Sequence, residues 1–309
     1  MNKKIWTGLL IPVFFVFSGG YAKIRLFTFQ YNRADFIEIQ HKCLNKFLKE
    51  KDDYELIVFN DATDPLYKEQ IEQMCKKLNI TCINFPQELH NSGILIENIK
   101  RLGLYGKHHN EKNGSVRHCQ LVRYALDNFG YNHDDIIGIM EGDVFLIKEF
   151  SIRESLKKYD FIGAIQTDRK GKGLEYIWIG LSFFNIKKIP NPQTLNFDLN
   201  FINNTFLDSG GSTYYYLRDN PNLKLKKYYR KPITSLPRND EQKLKQSGFT
   251  NNEIRFLKNS LDCQLKETSF LSVELHLDNH FLHYSWSRNS DGSDCKSKLF
   301  QDFFSNILS

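Results

Sequence analysis

No C-x-x-C pair occurs among the six cysteines (Cys43, Cys75, Cys82, Cys119, Cys263, Cys295) of this 309-residue chain. Their small number and wide spacing exclude a disulfide framework, and the missing pair removes the usual sign of a zinc site. Several fall on the apolar faces of predicted helices, so buried free thiols are expected. The chain has no internal repeat and no low-complexity tract. Its 41% hydrophobic and 25% charged residues are ordinary globular composition, which excludes a disordered chain. Long hydrophobic runs are also lacking: Ile5 to Phe17 is short for a membrane span and is interrupted by Pro12. The net charge of +6 is scattered rather than gathered into a tail. Its densest cluster, "KLKKYYRK" at 224–231, reads as a solvated strand with lysines on its outer face. Nucleic acid is therefore not an expected partner.

The first 22 residues stand apart. "MNKK" is a basic start, an apolar core follows, and Gly20 and Ala22 supply small residues at its end. The pattern is that of a signal peptide over 1–22, cleaved after Ala22, or else a short anchor. Cleavage implies the secretory pathway, secreted or lumenal; retention implies association with a membrane through the N-terminus. The remainder, 23–309, reads as one continuous domain. Three Asn-x-Ser/Thr sites (Asn79, Asn113, Asn203) need no explanation beyond chance in an asparagine-rich chain.

Strand and helix patterns alternate cleanly in the first half. "KIRLFTF", "ELIVF" and "ITCINF" are apolar strand runs. Between the first two, Phe36, Cys43, Leu44, Phe47 and Leu48 recur at helical spacing over about 33–49. Asp64-Pro65 supplies an N-cap and a first-turn proline to the next helix. A polar segment over about 91–112 reads as a loop with room for one irregular helix. Ser115 is the expected cap of a helix that Gly130 ends, and "IIGIMEGDVFLI" (136–147) is expected as one buried fourth strand. Alternation of this kind predicts an α/β fold with a mostly parallel sheet covered on both faces. The second half is mixed: "YDFIGAI", "YIWIGLSFFNI" and "HFLHYSW" are strand runs, and Thr250 to Glu253 forms a capping box before another helix.

Within the fourth run stand Glu141, Gly142 and Asp143. Open α/β sheets bind ligands beyond the carboxyl ends of their strands, and residues i and i+2 of an extended chain face one side. Two carboxylates there suit a divalent metal carrying a phosphorylated ligand, since Mg²⁺ or Mn²⁺ takes one or two carboxylates with phosphate oxygens. Taken alone, the tripeptide reads better as a tight turn than as a metal site. Its surroundings change that. The ordered set "VFNDATD", "EGDVFL", "FLDSGG" and "HFLHYSWSRN" resembles the metal-dependent nucleotide-sugar glycosyltransferases of GT-A fold, over about Ile24 to Asn289.

That resemblance implies a GT-A-like, Rossmann-type central sheet, mostly parallel, flanked by helices, with a mixed C-terminal acceptor portion. It implies a D-x-D site at "EGD", in which Asp143 holds Mn²⁺ or Mg²⁺ and Glu141, standing for the first Asp, contacts ribose or metal-bound water. By the same likeness Asn32 and Arg33 meet the nucleotide, Asp61 the base, and Ser115 and Arg117 the donor. Trp178 is a sugar-stacking surface or simply core, Asp208 lies in an acceptor-site loop, and His283 is a third metal ligand. The implied reaction passes a sugar from a nucleoside-diphosphate sugar to a hydroxyl of a glycan, protein or lipid acceptor. Asp208 is the candidate base if the enzyme inverts; Arg117, Lys170 and Lys172 are candidate cations for the leaving diphosphate. Two other readings are open. A nucleotidyltransferase also uses metal-bound carboxylates, although "TFQYNRAD" lacks its glycine-rich phosphate loop. A non-catalytic secreted sugar- or nucleotide-binding protein is the other.

Overall fold

The computed structural model describes residues 23–90, 94–101, 113–168, 171–233, 241–246, 248–266, 273–284 and 295–309. The N-terminal 1–22, most of the polar loop, Lys170, the end of the last strand run beyond Tyr284, and the side chains of Cys263 and Cys295 lie outside that description.

In chain order the first elements are β1 (Ile24–Gln30), α1 (Ala34–Phe47), β2 (Tyr54–Asn60), α2 (Pro65–Leu78), β3 (Thr81–Asn84), α3 (Ile94–Arg101) and α4 (Gly114–Ala125). The chain then forms β4 (Ile136–Glu141), β5 (Val144–Leu146), α5 (Ile152–Ser155), β6 (Phe161–Thr167), β7 (Glu175–Asn185), β8 (Asn200–Ile202), β9 (Thr205–Leu207) and α6 (Thr213–Asp219). It closes with β10 (Leu225–Tyr228), β11 (Lys231–Pro232), α7 (Glu241–Gln246), α8 (Asn251–Lys266), β12 (Val273–His276), β13 (Phe281–Tyr284) and α9 (Cys295–Leu308).

The central sheet has seven strands in the order β10-β6-β7-β4-β1-β2-β3. All neighbours pair in parallel except those of β7, which runs against both β4 and β6. This is the α/β class, with a mostly parallel sheet, flanking helices and a mixed C-terminal part, that the alternation predicts. Strand β4 is central and buried on both faces, which explains why its sequence runs apolar without alternation. The basic cluster does form a strand, β10, at the sheet edge, where Lys226 and Lys227 pair with Asp278 and Glu175.

Local signals account for several boundaries. The Asp64 side chain accepts from the Leu66 amide at 2.8 Å, with Pro65 in the first turn. Thr250 and Glu253 bond reciprocally, amide to side chain, at 2.6 and 3.2 Å and start α8 as a capping box. The cap of α4 is Asn113, not Ser115: its side chain accepts from the Ser115 and Val116 amides. Nor does the helix run evenly to Gly130; its last turn, Leu126–Gly130, is a π-turn.

The main departure from the sequence reading is in 136–147, which is two strands and not one. The chain leaves the central sheet at Glu141, turns at Gly142-Asp143 and enters a second, four-stranded sheet of order β11-β12-β13-β5. Leaving a sheet strips carbonyls of their ladder partners, and buried carbonyls without partners are costly. Gln40 of α1, fully buried, supplies them: its Nε2 donates to the carbonyls of Glu141 at 2.8 Å and Val144 at 2.9 Å. Its Oε1 accepts from Thr28 and Gln30 of β1. Gly142 is required by the same crossing. A Cβ there would lie 2.4 Å from the Phe29 carbonyl oxygen, so glycine is what permits this close approach to β1.

The second sheet and the C-terminal helix share one aromatic core. Phe36 of α1, Phe145 of β5 and Phe300 of α9 meet with ring centroids 5.0–5.2 Å apart, each pair worth about 1 kcal/mol beyond its burial. Cys43, Cys75 and Cys119 are buried free thiols, as expected. Among the described residues, no helix is long and apolar enough to cross a membrane.

Candidate functional site

The parallel strands β1, β2 and β4 end together. Phe29 is level with Glu141 and Gln30 with Asn60, so the 30–33 loop, Asp61 and the Glu141–Asp143 turn share one edge. That is where open α/β sheets bind ligands. Two clefts open there, of about 740 Å³ and about 510 Å³. Asn32, Arg33, Asp61 and Arg117 line the larger; Ser115, Trp178, Asp208, Arg230 and His283 line the smaller. Glu141, Asp143, Gly114 and His118 line both, so the clefts meet at the two acids.

A third residue joins that pair from the second sheet. His283 lies on β13, which pairs with β5, and the Tyr284 amide donates to the Asp143 carbonyl at 2.8 Å. Its Nε2 stands 3.5 Å from Asp143 Oδ1 and 3.6 Å from Glu141 Oε2. One ligand atom of each of the three residues lies within 4.8 Å of the others. Two carboxylates and an imidazole converge on the junction of two clefts; the carboxylate oxygens are the hard donors that Mn²⁺ or Mg²⁺ takes, and the imidazole is a softer third donor.

The electrostatics support a cation there. Burial disfavours charge on His283, but Asp143, Glu274 and Glu141 outweigh it and raise its pKa to about 10. Burial likewise opposes charge on Glu274, yet His276 beside it, the hydrogen bond from His283 and the Arg230 charge hold its carboxyl well below the usual range. Buried His276 goes the other way, its pKa lowered to about 4 chiefly by desolvation. The acids therefore already hold a positive charge, carried by a proton on His283.

Asp61 is buried and engaged on every side. Arg117 donates to Oδ2 through Nε at 3.0 Å and Nη2 at 2.7 Å, and the His90 ring meets Oδ1 at 2.6 Å. Arg117 is thereby fixed at the floor of the larger cleft, 5.4 Å from the Tyr31 ring, which is 40% exposed at the rim. Arg33 forks onto Asp35 and lies over Phe36.

On the other side of the acids, Asp208 follows β9 and begins the turn into α6. Gly210 explains the glycines that follow it: its φ is +92°, and a Cβ would lie 1.9 Å from the Ile177 carbonyl oxygen, so the turn is pressed onto β7. Trp178 is 7% exposed, 5.0 Å from the Arg230 guanidinium and stacked on His276 at 5.2 Å. That leaves little of its face for a sugar, and core with a polar stack describes it better. Lys172 donates to the Asn203 carbonyl at 2.6 Å and is not among the described residues that line the clefts.

Sequence reasoning missed His118, Arg230, His90 and Glu274. The His118 Nδ1 is 3.1 Å from Glu141 Oε1 and its ring packs on Phe29; it follows Arg117 directly, and nothing in the local pattern marks it. Glu274 and His276 had a signal, since "VELH" places them at i and i+2 on one side of a strand.

No family model and no curated protein matches the chain. Among solved structures it is similar to core-mannan synthase A from Aspergillus fumigatus in its Mn/GDP form, at 12% identity and TM-score 0.36, over 53% of this chain and 60% of that one. It is similar to a mannosyltransferase from Pyrobaculum calidifontis in complex with GDP-Man and Mn²⁺, at 10% identity and TM-score 0.38, over 67% and 55%. A third is the glycosyltransferase GlyE of Streptococcus pneumoniae, at 13% identity and TM-score 0.38, over 93% and 62%. The chain thus spans less than two thirds of the length of each of these three.

Proposed function

We propose that the chain is a metal-dependent glycosyltransferase of GT-A type that moves a sugar from a nucleoside-diphosphate sugar to an acceptor hydroxyl. One observation carries this reading: Glu141 and Asp143, with His283 beside them, stand where two separate clefts meet at the carboxyl edge of a parallel sheet. Group transfer between two substrates needs two pockets sharing one reacting centre, and an anionic leaving group needs a cation at that centre.

Asp143, Glu141 and His283 would hold the divalent ion, whose chemistry is to stabilise the charge of the leaving diphosphate. The larger cleft, with Tyr31, Asn32 and Arg33 at its rim, suits a nucleotide. Asp61 fixes the side chain of Arg117 through a forked pair, so Arg117 enters binding already oriented. The smaller, more polar cleft suits a hydroxylated acceptor, and Asp208 is the carboxylate there that would take the hydroxyl proton if configuration inverts. Glycan, protein and lipid acceptors all meet that description, and a membrane- or lumen-facing enzyme follows if 1–22 acts as an anchor or signal.

The test is a thermal-shift screen of 23–309 with UDP, GDP and their sugars, with and without Mn²⁺, beside Asp143→Asn. Metal-dependent stabilisation by one nucleotide, lost in the variant, supports the reading and names the donor class. Folded protein that responds to none of them sinks it in favour of a turn at 141–143.

A further inference from the structure

The third ligand has a support of its own. Strands β12 and β13 pair antiparallel with Glu274 directly opposite His283, and both side chains are buried. The His283 Nδ1 is 3.3 Å from Glu274 Oε2, while Nε2 is the nitrogen turned towards Asp143 and Glu141. Arg230 meets the same Glu274 oxygen at 3.2 Å, and Arg230 also lies against Trp178. Building on the metal reading above, we propose that Glu274 is the positioning residue of the site: it takes the Nδ1 proton of His283 in a hydrogen bond and so fixes the tautomer and ring orientation that present Nε2 to the metal.

The physical reason is that a ligating imidazole has two nitrogens and only one can face the ion. A carboxylate on the other nitrogen chooses the tautomer, stops ring rotation and raises the basicity of the ligating nitrogen. A competing use of the same residues is a second ion held by Glu274, His276 and His283, whose ligand atoms also lie within 4.8 Å of one another. Charge decides between the two. Arg230 already holds the Glu274 oxygen at 3.2 Å, so that oxygen is engaged by a cation before any ion arrives. A second ion would sit uncompensated beside Arg230 in a buried place. His276, stacked on Trp178, then serves as a wall beside Glu274.

The experiment measures Mn²⁺ binding to the full chain by electron paramagnetic resonance, as free-ion signal for affinity and as ¹⁴N modulation for imidazole ligation. Wild type should bind one Mn²⁺ with ¹⁴N coupling. Glu274→Gln should bind about 10- to 100-fold more weakly, the usual effect of losing such a partner, with the coupling lost or altered. Glu274→Asp, which keeps the charge at shorter reach, should recover part of the affinity; it carries the test if the glutamine variant does not fold. A folded Glu274→Gln chain that keeps wild-type affinity and coupling, whatever its melting temperature, overturns the proposal while leaving the metal reading standing. Two Mn²⁺ per chain also overturns it, by making Glu274 a ligand. A wild-type chain that binds no Mn²⁺ at millimolar concentration overturns the metal reading, and this inference with it.

Discussion

Metal binding to this site should release a proton, and the amount can be worked from His283. With its pKa raised from 6.5 to about 10, the metal-free imidazole is protonated about 1000 to 1 at pH 7, and removing that proton costs about 4 kcal/mol. An incoming divalent ion must displace it, because a protonated imidazole cannot ligate and would repel the ion. Apparent Mn²⁺ affinity should therefore rise about tenfold per pH unit between pH 6.5 and 8.5. Isothermal titration in buffers of different ionisation enthalpy should count about one proton released per ion. In His283→Gln the residual binding, through the carboxylates alone, should be weaker and flat with pH. The sign for stability is the reverse. A raised pKa means His283 stabilises the metal-free fold fully below about pH 6.5, and that contribution fades as pH climbs through about 10. Binding that releases no proton and does not change across this window would refute the reasoning.

Three further outcomes are expected. Gly210→Ala forces a side chain into a positive φ, about 1–2 kcal/mol, and against the Ile177 carbonyl 1.9 Å away. A total near 3 kcal/mol should lower the melting temperature of a chain this long by about 5 °C, and a calorimetric shift under 2 °C would show that the turn is not pressed onto β7. Gln40→Leu strands the carbonyls of Glu141 and Val144 and should cost about 2–5 kcal/mol in urea denaturation, with Mn²⁺ affinity falling alongside; an unchanged midpoint would contradict it. Asp61→Ala leaves Arg117 and His90 without their shared carboxylate and should cost about 3–5 kcal/mol, far more than Asp35→Ala at the exposed Arg33 pair, a comparison that chemical denaturation makes directly.

Much of the frame was legible because its signals are local. Apolar runs marked β1, β2, β4, β6 and β7, and the caps at Asp64 and Thr250 act within four residues of themselves. What stayed hidden was long-range. Nothing in "IIGIMEGDVFLI" says that its halves belong to different sheets, since both are buried and equally apolar; the decision is made by Gln40 a hundred residues earlier and by β13 far downstream. The hairpin of β8 and β9 was missed although Asn203 and Asn204, both with positive φ, are the residues its turn demands; they read instead as part of an Asn-x-Thr site. In the site, the acids stand out by being charged inside an apolar run. His118 and Glu274 do not, because their importance comes from partners 23 and 9 positions away, and a single sequence offers no measure of such pairings.

The change of sheet at Glu141 also means that the three candidate ligands do not share one scaffold. Glu141 is the last residue of β4 in the central sheet, while Asp143 leads into β5 and His283 lies on β13, both of the small one. An ion held by all three would act as a rivet between two independently hydrogen-bonded layers. Part of its binding energy would then appear as cohesion at a distance, slowing the detachment of the β12–β13 hairpin and the hydrogen exchange of its amides, so that occupancy of the cleft is written into the mechanical state of the C-terminal third of the chain.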